Sequence, residues 1–155
     1  MSGTVEAKLQ ELGIELPNAP QPAGSYVQHY QSGNLLFVAG QIPFWNGELK
    51  FQGKVGQEFS IEEGQEAAKT CALNIIAQIK DAVGDLDKVA RIVRLNGFVN
   101  CPTDFADHPK VINGASDLMG EIFGEKGKHT RIALGAGSLP LNVAVEIDAV
   151  IEIEA

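Results

Sequence analysis

Residues 60–100 read SIEEGQEAAKTCALNIIAQIKDAVGDLDKVARIVRLNGFVN, a stretch that predicts a long helix followed by a strand. Ser60 and Glu63 have the spacing of a capping box, and apolar residues then recur at every third or fourth position. The pattern predicts one amphipathic helix from about Ile61 to Val83, ended by a glycine. The β-branched run that follows predicts a strand near Ala90–Asn100.

The residues before and after this unit predict a hairpin and a second helix. Two β-rich runs flank a Ser-Gly-Asn turn at 32–34 and predict a hairpin over residues 25–43. Pro109 suits the first turn of a second long helix, whose apolar face ends before Gly124.

The C-terminal residues predict two more strands. One lies near Arg131–Leu134 and ends at a break marked by Gly135 and Gly137. The other covers residues 143–153, where apolar and acidic side chains alternate. This order of elements is typical of an α+β domain, in which two long helices cover one face of a mixed sheet.

A chain of 155 residues is long enough for one domain with its own core, and we therefore expect residues 1–155 to form a single domain. The first 21 residues predict a short helix, capped by Thr4 and ended by Gly13, and then a proline-rich connector. The strand predicted at Leu35–Ala39 is apolar on both faces, although the two helices cover only one. A partner subunit is therefore expected on the other face.

Composition excludes some partners and compartments. The chain has 12 Lys and Arg against 20 Asp and Glu, a formal net charge of −8, which disfavours binding to nucleic acid. We find no signal peptide and no apolar run long enough to cross a bilayer, which predicts no membrane association. Two cysteines are too few for a disulfide framework, so we expect a cytoplasmic protein.

Most recognised kinds of catalytic centre are not supported by the sequence. His29, His108 and His129 are scattered without metal-ligand spacing, and we expect them to be ordinary surface or turn histidines. No phosphate-binding loop is present, so neither a metal nor a cofactor is predicted. Cys71 falls on the apolar stripe of the long helix, and Cys101 precedes a proline with no base evident beside it.

Arg131 and Glu146 are the remaining candidates for functional residues. Arg131 stands in a strand among small and apolar neighbours, where it is either an edge residue that reaches solvent or a fixed guanidinium that binds a carboxylate. Glu146 follows a Gly/Leu-Pro turn and could face Arg131, or it could form an edge salt bridge. The residues alone leave both choices open.

Three motifs point to a known family. The run RIALGAGSLP at 131–140, followed by Val-Glu-Ile at 145–147, resembles the C-terminal signature of the Rid (YjgF-like) family. Members of that family are reactive intermediate deaminases and are also called L-PSP endoribonucleases. Gly24–Gln28 and Val38–Pro43 resemble the two N-terminal motifs of the family. The resemblance covers nearly the whole chain from about Pro22.

The resemblance implies a chorismate-mutase-like fold in a homotrimer, with clefts between subunits. Arg131 would hold the carboxylate of the substrate and Glu146 would position a water molecule. Tyr26, Gly40 and Asn113 match positions that line the cleft.

The implied reaction is the hydrolysis of small reactive 2-imino or enamine acids to 2-oxo acids and ammonia, without a cofactor. Ala133 stands where many members have a cysteine near the substrate, and Ser25 stands where proline is common. One alternative is a trimeric module that binds small carboxylates without turnover. A second alternative is an L-PSP-type endoribonuclease.

Overall fold

The computed structural model describes residues 3–155. Within this range the α-helices are α1 (Thr4–Glu11), α2 (Ile61–Val83) and α3 (His108–Phe123). The strands are β1 (His29–Ser32), β2 (Leu35–Gln41), β3 (Phe44–Trp45), β4 (Glu48–Leu49), β5 (Val89–Asn100), β6 (Thr130–Ala136) and β7 (Val145–Ile153). The main sheet has the order β1-β2-β7-β5-β6, while β3 pairs with β4. β5 and β6 are parallel, and the other neighbours are antiparallel.

Helices α2 and α3 pack on one face of the main sheet. The strand residues that point toward them, such as Leu95 and Ile147, are fully buried. α3 approaches β5 closely because residue 97 is glycine: a Cβ there would lie 2.7 Å from the Cδ1 atom of Ile112. The predicted α+β class, with a mixed sheet and two long helices on one face, is confirmed.

The N-terminus of α2 has the predicted capping box. The Glu63 amide donates a hydrogen bond to Ser60 Oγ at 3.1 Å, and the Ser60 amide donates one to the Glu63 carboxylate at 3.0 Å. These two bonds satisfy amides that the first helical turn leaves without partners. The helix begins at Ile61 and ends at Val83, as the sequence predicts.

The opposite face of the sheet, which we call the open face, carries large apolar side chains. On β2, Leu36 and Val38 point toward the helices and are buried. Leu35, which is 39% exposed, and Phe37, which is 45% exposed, lie on the open face. Other exposed apolar residues of this face are Tyr30 on β1 and Ile132 and Leu134 on β6. The predicted apolar character of both faces of β2 is therefore confirmed. Exposed apolar area of this kind is typical of an interaction surface.

The strand boundaries differ from the prediction in two places. β1 begins only at His29, not at Ser25. β6 continues through Gly135, which pairs with Val99, to Ala136, so the predicted break at Gly135 is wrong. A glycine is tolerated here because β6 is an edge strand.

The N-terminal helix is capped by a distant residue. Gly3 occupies the N-cap position, and the Asp87 carboxylate accepts hydrogen bonds from the amides of Thr4 at 2.8 Å and Val5 at 2.9 Å. The predicted Thr4 cap is therefore wrong. These bonds lower the pKa of Asp87 and attach α1 to the turn between α2 and β5.

Candidate functional site

The guanidinium of Arg131 is anchored to helix α3. Its Nη1 donates hydrogen bonds to Asn113 Oδ1 at 2.8 Å and to Ser116 Oγ at 3.0 Å, and its Nη2 donates to the Pro109 carbonyl at 3.2 Å. Asn113 and Ser116 are three residues apart on the helix and so lie on one face of it. Arg131 is therefore a fixed guanidinium and not a mobile edge residue.

The anchoring leaves one edge of the guanidinium for a ligand. An arginine side chain has five N–H donors in a planar fork. The three bonds to α3 use both hydrogens of Nη1 and one of Nη2, so Nε–H and the second Nη2–H have no acceptor within residues 3–155. Nε and Nη2 form the side of the fork that binds both oxygens of a carboxylate in parallel. The arrangement suits a small carboxylate.

His129 supports this arrangement through Ser116. The Nδ1 atom of His129 lies 2.6 Å from the Gly127 carbonyl, and its Nε2 atom lies 2.8 Å from Ser116 Oγ. A carbonyl can only accept, so Nδ1 donates the first hydrogen bond. In the tautomer with its proton on Nδ1, Nε2 accepts the Ser116 hydroxyl proton. The Ser116 oxygen then accepts from Arg131.

The sequence patterns did not identify either residue of this hydrogen-bonded chain: they gave no reason to single out Ser116, and they indicated that His129 is an ordinary surface or turn histidine. The i, i+3 spacing of Asn113 and Ser116 was a usable signal for Ser116.

Glu146 lies on the open face of the sheet. It pairs with Phe98 on β5, which in turn pairs with the exposed Leu134 on β6. Gly40 makes room for it, because a Cβ at residue 40 would lie only 2.5 Å from the Glu146 Oε2 atom. Partial burial, and to a lesser extent the nearby Asp148 carboxylate, raise the pKa of Glu146. A carboxylate with a raised pKa is a better proton acceptor than a free glutamate.

Tyr26 lies at the Gly40 end of the sheet. The Gln28 carbonyl accepts a 2.8 Å hydrogen bond from the Ala39 amide, which places the segment before β1 beside this end of β2. The Tyr26 ring is 49% exposed, and its hydroxyl accepts a hydrogen bond from the Ala23 amide at 3.3 Å. Tyr26, Gly40 and Glu146 therefore belong to one region of the molecule.

The two groups of predicted residues lie on opposite faces of the sheet. Arg131 pairs with Leu95, a buried residue that points toward the helices, whereas Glu146 shares its row with the exposed Leu134. Ala133 points to the same side as Arg131, because side chains alternate along a strand. Within the candidate site, we call Arg131, Asn113 and Ala133 the Arg131 half-site, and we call Tyr26, Gly40 and Glu146 the Glu146 half-site. Within one chain Glu146 does not face Arg131, which corrects that interpretation of the sequence.

The cysteines and histidines have more specific surroundings than the sequence indicates. Cys71 is fully buried, its Sγ lies 3.5 Å from the Val145 carbonyl, and burial raises the pKa of its thiol well above the usual value. The Cys101 Sγ lies 3.5 Å from His108 Nε2, so the expectation of no neighbouring base is wrong. His29 lies 2.9 Å from the Asp81 carboxylate. None of the three histidines is an isolated surface group.

Other features that could indicate a site lie elsewhere or are missing. A cavity of about 720 Å³ lies between α1 and the C-terminal half of α3, and no predicted site residue lines it. Residues 3–155 bring no three His, Cys, Asp or Glu side chains close enough to hold a metal ion. Over the same range, none of the helices has the length and apolar character needed to cross a membrane.

Comparison with known proteins supports the resemblance seen in the motifs. A family model described as "YjgF/chorismate_mutase-like, putative endoribonuclease" matches residues 6–153. The chain belongs to this family. Membership of the YjgF family confirms the family prediction made from the three sequence motifs.

Relatives of similar length exist within the YjgF family. Protein TCP17 of Trypanosoma cruzi is 46% identical over 153 residues, which cover 98% of this chain and 96% of that protein. The 2-iminobutanoate/2-iminopropanoate deaminase of Dermatophagoides farinae is 30% identical, with coverage of 91% and 95%. The crystal structure of Atu1372 from Agrobacterium tumefaciens has a TM-score of 0.91 at 46% identity, with coverage of 97% and 93%.

Proposed function

We propose that this protein is a hydrolytic deaminase that converts small 2-imino or enamine acids to 2-oxo acids and ammonia. The observation that carries the proposal is the Arg131 guanidinium, which three hydrogen bonds hold against α3 while one bidentate edge remains available. A 2-imino acid has a carboxylate next to its reactive carbon. Binding of that carboxylate would fix the position of the C=N bond.

The active site forms between two copies of the chain in this proposal. Each copy has an Arg131 half-site and a Glu146 half-site on opposite faces of its sheet, so one copy cannot close both on the same substrate. A contact that joins unlike surfaces of two copies closes into a ring when the rotation permits. The apolar residues of the open face supply the interface, and the family resemblance indicates a ring of three.

The chemistry needs a water molecule and a proton acceptor. The water oxygen bonds to the imine carbon while a water proton passes to the Glu146 carboxylate. The proton then moves from Glu146 to the nitrogen, which gives a carbinolamine. Glu146 next takes the proton of the new hydroxyl group and passes it to the nitrogen, so that the C=O bond forms as the C–N bond breaks. Ammonia leaves, and a 2-oxo acid remains. The raised pKa of Glu146 favours this proton transfer. The imine carbon is already electrophilic, so these residues carry out the reaction without an added cofactor.

The test is the release of ammonia and 2-oxo acid from freshly generated 2-iminopropanoate, with the spontaneous rate subtracted. Arg131→Lys keeps the charge but loses the planar fork, and we expect it to lower kcat/KM about 10- to 150-fold. Arg91→Lys is the matched control, because Arg91 lies outside both half-sites and bonds to the Lys128 carbonyl. A wild-type rate equal to the spontaneous rate would refute the deaminase proposal.

A carboxylate-binding module without turnover is the second candidate. The observation that favours it is that Arg131 forms no ion pair with a carboxylate within residues 3–155, while Glu146 lies on the opposite face of the sheet. The two candidates differ in one result: binding of 2-oxo acids that depends on Arg131, with no ammonia release above background, would support the module.

A further inference from the structure

A cavity of about 300 Å³ lies at the end of β6, beyond the Arg131 half-site. It contains the Cys101–His108 pair, and the Phe105 ring packs edge-on against His108 with centroids 5.4 Å apart. The residues that line it come from the C-terminal end of β5, the loop before α3, the first turn of α3, and β6: Cys101, Pro102, Thr103, Phe105, His108 and 135–137.

This cavity and the Arg131 guanidinium share one side of β6. Residues 131, 133 and 135 alternate to the same side, and Gly135 lies about 13 Å along the strand from Arg131. The guanidinium extends toward the first turn of α3, where it bonds to the carbonyl of Pro109, the residue after His108. Ala133 is the side chain between them on β6; it is partly buried and extends by only a single methyl group.

Gly135 allows His108 and Cys101 to approach β6 closely. A Cβ at this position would lie 2.5 Å from His108 Nε2 and 2.9 Å from Cys101 Sγ. The φ angle of Gly135 is not positive, so the backbone does not itself require glycine. The requirement comes from these two side chains, which an alanine methyl group would displace and so change the shape of the cavity.

The lining is suited to an apolar group. It consists of two apolar side chains, the backbone of residues 135–137, a threonine, a thiol and an imidazole, and contains no carboxylate. Burial raises the pKa of the Cys101 thiol, which is therefore neutral at physiological pH. The nearby Lys54 ammonium is already bonded to Asn100 Oδ1 and the Gly137 carbonyl.

We infer that this cavity is the subsite for the substrate's side chain, and that the protein prefers imines of amino acids with branched or aromatic side chains to 2-iminopropanoate. The inference rests on the proposed function, because the carboxylate on Arg131 determines the direction in which the side chain extends. A cavity of this volume lies at the lower limit for small-molecule pockets and would accept a phenyl or isobutyl group. The methyl group of 2-iminopropanoate would leave it empty.

The test compares imines of phenylalanine, leucine, glutamate and alanine, generated in the assay by amino-acid oxidases. Wild type should have the highest kcat/KM with the phenylalanine or leucine imine. Gly135→Ala should lower that value tenfold or more, which is the scale of discrimination in apolar pockets, and change the alanine imine less than twofold. Gly120→Ala on α3 is the matched control, because a Cβ there meets no atom within 4 Å.

Each outcome distinguishes the subsite from the deaminase proposal. Equal losses for all four imines in Gly135→Ala, a wild-type preference for the alanine or glutamate imine, or no preference would overturn the subsite. If wild type hydrolyses none of them, binding of phenylpyruvate and pyruvate by calorimetry replaces the rate. Tighter binding of phenylpyruvate that Gly135→Ala removes would retain the subsite while the deaminase proposal fails. Equal binding of the two acids would overturn the subsite as well.

Discussion

Two inactive variants should restore activity when they share one oligomer, if the active site combines half-sites from two copies. Arg131→Lys damages only the carboxylate half-site, and Glu146→Gln damages only the proton-acceptor half-site. In a mixed ring, some interfaces receive Arg131 from the Glu146→Gln subunit and Glu146 from the Arg131→Lys subunit. Those interfaces have both native residues.

The size of the recovery follows from random assembly. With equal amounts of the two variants, half of the subunits supply a native Arg131 and half supply a native Glu146. An interface that joins unlike surfaces is then fully native in about a quarter of cases. Arg131→Lys alone should keep roughly 1–10% of the wild-type rate, since one charge-assisted hydrogen bond contributes about 1.5–3 kcal/mol. Loss of a general base costs about 10²- to 10⁴-fold.

The assay is co-expression of the two variants with different affinity tags, followed by purification through both tags and measurement of ammonia release. Each variant purified alone is the control, and so is co-expressed wild type with two tags. Purification through both tags removes the rings of a single variant, and each mixed ring of three has one fully native interface, so a mixed oligomer at about one third of wild type supports a shared site. A mixed oligomer no more active than the variants, with its ring intact by light scattering, would refute the shared-site argument.

Four further outcomes follow from the structure. Because the pKa of Glu146 is raised, kcat/KM should fall as pH decreases through that pKa, at a higher pH than for a free glutamate. Glu146→Gln removes a charge that partial burial disfavours, so it should raise the free energy of unfolding at pH 7 in denaturant titrations and lose this advantage below about pH 4.5, where the native glutamate is protonated in both states. Ser116→Ala should raise KM more than it lowers kcat, because it removes one of the three anchors of Arg131, and an unchanged KM would contradict that role. Asp87→Ala removes the acceptor of two α1 amides, so it should lower the free energy of unfolding by about 1 kcal/mol in urea titrations near neutral pH. The pKa of the native carboxylate is lowered, so the difference between the two proteins should disappear at acid pH as this carboxylate becomes protonated. RNA should bind only weakly in about 150 mM salt, and submicromolar affinity in a filter-binding assay would instead support the endoribonuclease alternative.

Periodicity predicted the main helices and strands because their signals are local. The limits of α2 follow from the Ser60–Glu63 capping box and the apolar stripe, both of which are visible within a few residues. The cap of α1 could not be found in this way, since Asp87 is more than 80 residues distant in sequence. Gly135 was misinterpreted because a glycine can end a strand or continue an edge strand, and only the pairing with Val99 decides between them.

The sequence identified the individual residues of the candidate site but not their positions relative to one another. Arg131 and Glu146 stand out by type and neighbourhood, and the motifs added Tyr26, Gly40 and Asn113. Whether a strand residue points up or down relative to a residue on another strand depends on register, which a single sequence leaves open. The positions of Arg131 and Glu146 on opposite faces therefore emerged only from the pairing of β5 with β6 and β7.

In the proposed oligomer, the alternation along strand β6 would couple ligand binding to self-association. Arg131 lies on one side of the strand, while the apolar side chains of Ile132 and Leu134 are exposed on the other side. If the ligand binds the assembled site more tightly than a separate chain, it favours assembly, and by linkage assembly raises the affinity for the ligand by the same factor. Dilution should therefore weaken carboxylate binding, and a bound 2-oxo acid should delay dissociation of the oligomer. In that oligomer, the seven residues of one edge strand would make assembly respond to the concentration of the bound acid.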